Sequence, residues 1–229
     1  MSAFFITGTD TEVGKTHITA LLLKFLAQHK RKAIGFKPIA AGAEEAFGQL
    51  VNDDALTLME SSSVHGKYEQ INPICFEPPI APHIAAQQVG VEITLDKLSH
   101  HYHELAQLGA EFTLVEGAGG WALPINDTQY LCDWVQQEQL PVILVVGMKL
   151  GCLNHAILTN HALKAQGVKC VGWIANQVDP DMANFDENLE SLRKRLDAPL
   201  LAVAPYCEDK AKLQIYAALT DLFGIKLQG

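Results

Sequence analysis

No run of apolar residues in this sequence approaches the roughly 18 that a membrane-spanning helix needs. The opening Met1-Ser2-Ala3-Phe4-Phe5-Ile6 has no basic stretch, and its apolar run is too short for a secretory signal. Cys75, Cys132, Cys152, Cys170 and Cys207 are odd in number and form no C-x-x-C pair. That pattern excludes a disulfide framework and a zinc knuckle, and it predicts reduced thiols in a soluble, cytoplasmic protein. Positive charge is scarce as well. Seventeen Lys and Arg face 26 Asp and Glu, a formal charge of −9, which argues against a nucleic-acid or anionic-membrane binder. Any anionic ligand must be held by local positive potential. Charged residues make up only 19% of the chain against 48% apolar, which excludes disorder and hints at surface covered by a partner.

What is present is alternation. Ala3–Thr7, Ala33–Lys37, Phe112–Glu116, Val142–Gly147, Val171–Asn176 and Leu200–Ala204 read as strands. Their unbroken apolar character suits parallel strands covered on both faces. Helical patterns lie between them, over about 15–29, 53–61, 94–108, 129–138, 152–166 and 184–195. The order predicts an α/β fold: a doubly wound, mostly parallel sheet with helices on both faces. The stretch 62–93, with Pro73, Pro78, Pro79 and Pro82, is the least regular and is expected to supply active-site loops. No internal repeat or linker breaks the chain, so residues 1–229 are read as one domain. Ligands of such sheets bind beyond the carboxyl ends of the strands, which singles out Thr7-Gly8, Lys37, Glu116, Asn176 and Pro205.

Directly after the first strand comes Gly8-Thr9-Asp10-Thr11-Glu12-Val13-Gly14-Lys15-Thr16, and the amphipathic run His17–Leu26 follows at once. Glycines let backbone N–H groups turn inward on an anion, and the helix N-terminus adds partial positive charge. Lys15 would reach the β and γ oxygens of a nucleoside triphosphate, and the Thr16 hydroxyl would ligate Mg²⁺. The loop is a G-x5-G-K-T variant, since Thr9 stands where the usual first glycine belongs. This places the fold among P-loop NTPases. Switch ATPases of the chromosome-partitioning and division-site type carry an extra lysine five residues before Lys15, where this chain has Asp10. Glu116 ends an apolar strand, the usual place for a Mg²⁺-linked carboxylate, and with Thr16 present the metal reading is favoured over a strand-end turn. Asp54 is either a second such carboxylate or part of a helix start capped by Asn52 or Asp53.

Together these residues closely resemble the dethiobiotin synthetase family. The matching pieces are Thr7–Thr16 (TGTDTEVGKT), Gly35–Pro38 (GFKP), Asp54, Pro82-His83-Ile84 and Val115–Trp121 (VEGAGGW). They continue through Asp133-Trp134-Val135 and Gln137–Val146 to Lys149–His155 (KLGCLNH). The likeness runs from residue 4 to about residue 178 and then thins. It implies an ATP-dependent ligase of biotin synthesis that carboxylates 7,8-diaminononanoate with CO₂, phosphorylates the carbamate and closes a cyclic urea. It further implies Lys37, Lys15 and Thr11 as catalytic residues, and Mg²⁺ held by Thr16, Asp54 and Glu116. Nucleotide contacts would come from Glu12, Val13, Gly14, Lys15, Thr16 and His17, from Asp54, and from Glu116, Gly117, Ala118 and Gly119. The nucleoside would fall to Asn176 and Gln177 and to Pro205, Tyr206 and Cys207; an asparagine can pair with adenine N6 and N7. Substrate would meet Lys37 and Ala41, and its distal carboxylate the helix opening at Gly151, Cys152, Leu153 and Asn154 of a neighbouring subunit, with Asn188 nearby. The implied assembly is a homodimer with shared active sites.

There are departures from the family pattern. A serine is frequent where Ala41 stands, a tyrosine where Asn188 aligns, and an aspartate where Gln177 follows Asn176. They bear on substrate affinity and keep a specificity-altered paralogue open. Another P-loop carboxylate-activating ligase and a non-catalytic ATP-binding regulator are the remaining alternatives. His100, His101 and His103 sit at adjacent positions and read as a solvated helix face. Cys152 opens a helix, which could depress its pKa, but without a paired base it reads as packing. Trp121, Trp134 and Trp173 read as core or interface aromatics.

Overall fold

The strand at Ser2–Gly8 (β1) runs through the middle of the molecule because its apolar residues are covered on both faces. A computed structural model describes residues 2–46, 48–206 and 213–226 of the chain. After β1 come α1 (Lys15–Gln28), β2 (Ala33–Phe36), β3 (Ile39–Ala41), β4 (Glu44–Ala46) and β5 (Gln49–Val51). Then follow α2 (Asp53–Ser61), α3 (Tyr68–Ile71), β6 (Ile74–Phe76), α4 (Pro82–Gln88), α5 (Leu95–Ala106) and β7 (Phe112–Glu116). The second half has α6 (Leu131–Gln137), β8 (Val142–Met148), α7 (Cys152–Ala165), β9 (Cys170–Gln177) and α8 (Phe185–Arg195). It closes with β10 (Leu200–Ala204), β11 (Gln214–Ile215) and α9 (Ala217–Leu222).

Seven strands form one sheet in the order β11-β10-β9-β8-β1-β7-β2. Every neighbouring pair is parallel except β10 with β11. From β1 the chain goes out to β2, returns to β7, then crosses to β8 and builds outward on the other side. The strand order therefore reverses around β1, and its carboxyl end opens into the crevice where doubly wound sheets take ligands.

Side-chain alternation places the two helical layers. Ile143, Val145 and Ile174 pack with Ile18, Leu22 and Leu26 of α1 and with Leu219 of α9. Leu144, Val146 and Trp173, one residue out of phase, pack with Ala156 of α7 and with Leu189 and Leu192 of α8. Farther along that second face, Phe5 and Val115 meet Leu98 and Tyr102 of α5 and Trp134 of α6. Each fully buried aliphatic or aromatic side chain contributes about 1.5–3 kcal/mol, so this double coverage is what holds β1 and its loop in place.

The expected strands and helices all occur, with ends shifted by one or two residues. Residues 62–93 are more regular than expected: α3, β6 and α4 are short elements separated by Pro73, Pro78 and Pro79, and Pro82 starts α4 in the first turn, where no N–H is needed. The β4–β5 hairpin and the β11–α9 end were not foreseen. The hairpin is two short runs with exposed Glu44, Glu45 and Gln49, and β11 is two residues long, so neither shows an apolar period; α9 buries Leu219 but spans only six residues. Among the described residues no helix is long and apolar enough to cross a membrane.

Candidate active site

Between β1 and α1 the backbone enters the left-handed region twice, at Glu12 (φ 57°) and Gly14 (φ 81°). Gly14 is the N-cap of α1 and no side chain caps that helix end. A Cβ at Gly14 would stand 2.1 Å from Asn176 Nδ2, so both the conformation and the close approach demand glycine there. Asn176 is buried at the end of β9, and its Nδ2 donates to the Val13 carbonyl at 2.9 Å. The loop is thus tied to β9 as well as to β1.

Lys15 is buried beneath this loop, and its Nζ donates to the Asp10 carbonyl at 3.0 Å. Burial, and after it the neighbouring Lys37 ammonium, lower its pKa to about 8. The Asp10 carboxylate accepts from the Thr11 N–H at 2.8 Å and from its hydroxyl at 3.3 Å, which holds Thr11 in place.

Next to the loop lies a charge cluster built from four separate segments. Lys37, just past β2, donates from Nζ to Asp54 Oδ2 and to Glu116 Oε1, both at 2.6 Å. The Thr16 hydroxyl donates to the same Glu116 oxygen at 2.7 Å. The Glu116 side chain is wholly buried, and its Oε2 has no hydrogen-bond partner. Burial alone would lower the Lys37 pKa, but Glu116 and Asp54 outweigh it and the net shift is upward. Asp54 moves the other way: burial raises it, while Lys37 beside it holds the carboxyl below its usual range. Asn52 is the residue that caps α2, its side chain accepting from Ala55 N, so the Asp54 carboxylate is left to face Lys37.

Loop and cluster share a cavity of about 820 Å³. Its far wall is apolar: Ala40, Ala41, Pro79, Ile80, Ala81, Pro82 and Leu123. The arrangement can bind an anion along the loop while presenting one charged lysine and two carboxylates to a second, partly apolar ligand.

A family model described as an AAA domain, AAA_26, matches residues 2–212. The chain is 63% identical to the ATP-dependent dethiobiotin synthetase BioD of Pseudoalteromonas translucida, over 98% of this chain and 99% of that protein. It is 48% identical to the protein of the same name from Vibrio parahaemolyticus, over 90% of each. This chain belongs to the dethiobiotin synthetase family. Among solved structures, a ParA-family ATPase from Chlorobium tepidum matches with a TM-score of 0.55 at 17% identity, over 91% of this chain and 85% of that one. The MinC:MinD cell-division complex of Aquifex aeolicus matches with a TM-score of 0.54 at 16% identity, over 90% and 81%. Likeness at that level establishes the P-loop NTPase fold and nothing finer.

Of the residues expected at the site of a dethiobiotin synthetase, the cavity collects Thr11, Glu12, Gly14, Lys15, Thr16, Lys37, Ala41, Asp54, Glu116, Ala118 and Gly119. Val13 and Gly117 are buried behind it, and Gly117 packs on Phe5. His17 is exposed at the start of α1; partial desolvation first, then Lys24, lower its pKa. Gln177 ties β9 to the end of β10, its Oε1 accepting from the Tyr206 N–H at 3.3 Å. Tyr206 and Pro205 are exposed, whereas Cys207 lies outside the described residues. Gly151, Cys152, Leu153, Asn154 and Asn188 do not line this cavity; Asn188 is exposed on α8 and donates to Asn184 O at 2.8 Å. Cys152 is buried, and burial pushes its thiol pKa up, so the helix start does not activate it. His100, His101 and His103 are partly or well exposed on α5 and lie against Glu104 and Glu138. The three tryptophans are buried. Asn52, Ile80, Ala81 and Leu123 were missed; only the proline-rich loop signalled that a wall was there.

The residues fit Mg²⁺. Asp54, Glu116 and Thr16 offer hard oxygen donors, and Glu116 Oε2 is a buried acceptor without a partner. Lys37 already shows that both carboxylates converge on a common positive charge. No group of three or more His, Cys, Asp or Glu suited to a metal occurs among the described residues.

Proposed function

We propose that this chain closes the ring of 7,8-diaminononanoate (diaminopelargonic acid): one amine and CO₂ form a carbamate, ATP phosphorylates it with release of ADP, and the second amine attacks the carbamoyl carbon and displaces phosphate. ATP-dependent dethiobiotin synthesis by C–N bond formation, in biotin biosynthesis, is the activity of its family. The observation that carries the residue-level reading is the Lys37 ammonium, fixed 2.6 Å from both Asp54 and Glu116 at the edge of the phosphate loop.

Lys15 and the N–H groups at the start of α1 receive the triphosphate. Thr16, Asp54 and Glu116 would hold Mg²⁺, whose contribution is to neutralise charge gathering on the phosphate oxygens. An ammonium has three N–H donors, and Lys37 uses two on carboxylates, leaving one to stabilise the negative charge of the carbamate as it attacks. Thr11 and Ala41, on the cavity wall, border the reacting amines. Asn176 and Gln177 frame the nucleoside, helped by Pro205, Tyr206 and Cys207. The distal carboxylate is assigned to Gly151, Cys152, Leu153, Asn154 and Asn188 of a second copy. Their position off the cavity of their own chain supports this, as does Leu150, 96% exposed, beside that helix start. The working form is therefore a homodimer.

The test combines ATP, Mg²⁺, labelled bicarbonate and the diamine. The expected result is phosphate release that depends on the diamine, with label retained in a cyclic urea that keeps the distal carboxylate. Release at the same rate without diamine refutes the reading. A chain that is fully active at a monomer's mass in light scattering refutes the shared site.

A further inference from the structure

Lys37 follows β2 and Asp54 lies in the first turn of α2, and their side chains meet at 2.6 Å. Besides the bonds that tie the far end of α2 to Ala33 and Gly35, a buried polar network reached through α3 links the two at the end where Lys37 and Asp54 lie. The Lys37 N–H donates to Ile71 O at 2.8 Å, and Asn72 Nδ2 donates to Lys37 O at 2.7 Å, so the lysine's backbone is held on both sides. The Tyr68 hydroxyl donates to Asn72 Oδ1 at 2.8 Å and accepts from the Asn52 N–H at 2.8 Å. Asn52 is the cap of α2, the helix that carries Asp54. Tyr68, Asn72 and Asn52 are each more than nine-tenths buried, so none of these bonds competes with solvent.

We propose that Tyr68 and Asn72 are positioning residues of the reaction: together they fix Lys37 against Asp54, and through Asp54 the oxygen donors meant for Mg²⁺. Neither touches the cavity; they act through the backbone of Lys37 and the cap of α2. A phenol bonded on both sides serves this role because the rigid ring sets the separation of its two partners. Catalysis is sensitive to such settings, since a misplacement of 1 Å costs on the order of 10² in rate.

This rests on the function proposed above, and the test separates the two. Tyr68→Phe keeps the ring and removes the bridging oxygen; Asn72→Ala removes the bond to Lys37. Ser62→Ala is the control. Ser62 is buried at the other end of α2, bonded to Leu58 O and Gly35 N, and touches neither Lys37 nor Asp54. For Tyr68→Phe and Asn72→Ala the expected results are a fall in kcat of about tenfold or more, an unchanged KM for ATP and a raised Mg²⁺ requirement. The double variant should be no worse than the poorer single one, because the two act as a unit. Calorimetry of ADP binding with and without Mg²⁺ should show the Mg²⁺-dependent gain in affinity reduced in both. Ser62→Ala should lower the melting temperature and leave that gain intact. Wild-type kcat and Mg²⁺ dependence in Tyr68→Phe overturn the proposal, as does the same Mg²⁺ effect in Ser62→Ala at equal loss of melting temperature. Diamine-independent turnover in the unsubstituted chain would reject the ring-closure reading alone, because the calorimetric arm needs no diamine.

Discussion

Nucleotide binding by this chain should take up a proton at alkaline pH. Burial, then Lys37, bring the Lys15 pKa to about 8 in the free protein. At pH 8.5 about three quarters of the molecules therefore carry a neutral Lys15, against about one tenth at pH 7. A bound triphosphate within hydrogen-bond reach favours the charged form and raises that pKa. The sign follows: the complex binds more protons than the free protein, so uptake on binding should approach about 0.75 proton at pH 8.5. Affinity should fall as pH rises through 8, by up to about tenfold per unit, until the pKa of the complex is passed. Phosphate ionisation near pH 6 is complete by then, so the proton goes to the protein. Titration calorimetry with ADP or ATP in two buffers of unlike ionisation enthalpy reads the uptake directly. Zero uptake at pH 8.5, or equal affinity at pH 7 and 9, would refute the reasoning.

The same assay has a second arm in Lys37→Met. That substitution removes the second-largest cause of the lowered pKa and leaves Glu116 and Asp54, which both raise it, without their cation. The uptake midpoint should move to higher pH. A downward movement would mean that the charges around Lys15 are misassigned.

Further expectations concern stability and ligand binding. Lys37→Met should also destabilise the fold by about 3 kcal/mol in denaturant titration, because it strands the buried Glu116 carboxylate; adding Glu116→Gln should recover part of that, and no recovery would sink the ion-pair account. Asn176→Ala cuts the bond to Val13 O, so the KM for ATP should rise severalfold with kcat largely kept; an unchanged KM would remove the tether from the binding site. Asn188→Ala should raise the KM for the diamine and leave ATP binding alone if the second copy supplies it, and an unchanged value returns Asn188 to the surface.

The elements that were legible in advance share one property: their evidence is contiguous. Val142–Gly147 is an apolar run that only a doubly covered strand explains, and Gly8–Thr16 carries its glycines, lysine and threonine within one turn of chain. Glu116 could be placed because a carboxylate ending such a strand has no apolar partner. Asp54 was left between two roles, since Asn52, Asp53 and Asp54 are interchangeable as helix starters on paper; only the fold shows Asn52 capping and Asp54 turned to Lys37. Tyr68 and Asn72 gave no signal at all. Their partners are 16 and 35 residues away, and an Asn before Pro73 looks like any turn. The β4–β5 hairpin failed for a different reason: it buries almost nothing, so no period marks it.

The deficit of positive charge in the sequence takes on a sharper meaning at this site. A crevice for a triphosphate needs cations, but a buried lysine tends to lose its proton. The chain meets that conflict differently at each lysine. Lys37 keeps its charge because two carboxylates flank it, so the acidic residues that outnumber it in the cluster are also what keep its ammonium charged. Lys15 donates to the Asp10 carbonyl instead of a carboxylate, and burial and Lys37 outweigh the carboxylates nearby, so its ammonium gives up the proton more readily until a ligand arrives. One lysine is thus held charged by its neighbours, and the other needs the nucleotide to stay fully charged at alkaline pH. An acidic protein can therefore hold two cations at one strand end without presenting a positive surface to other anions.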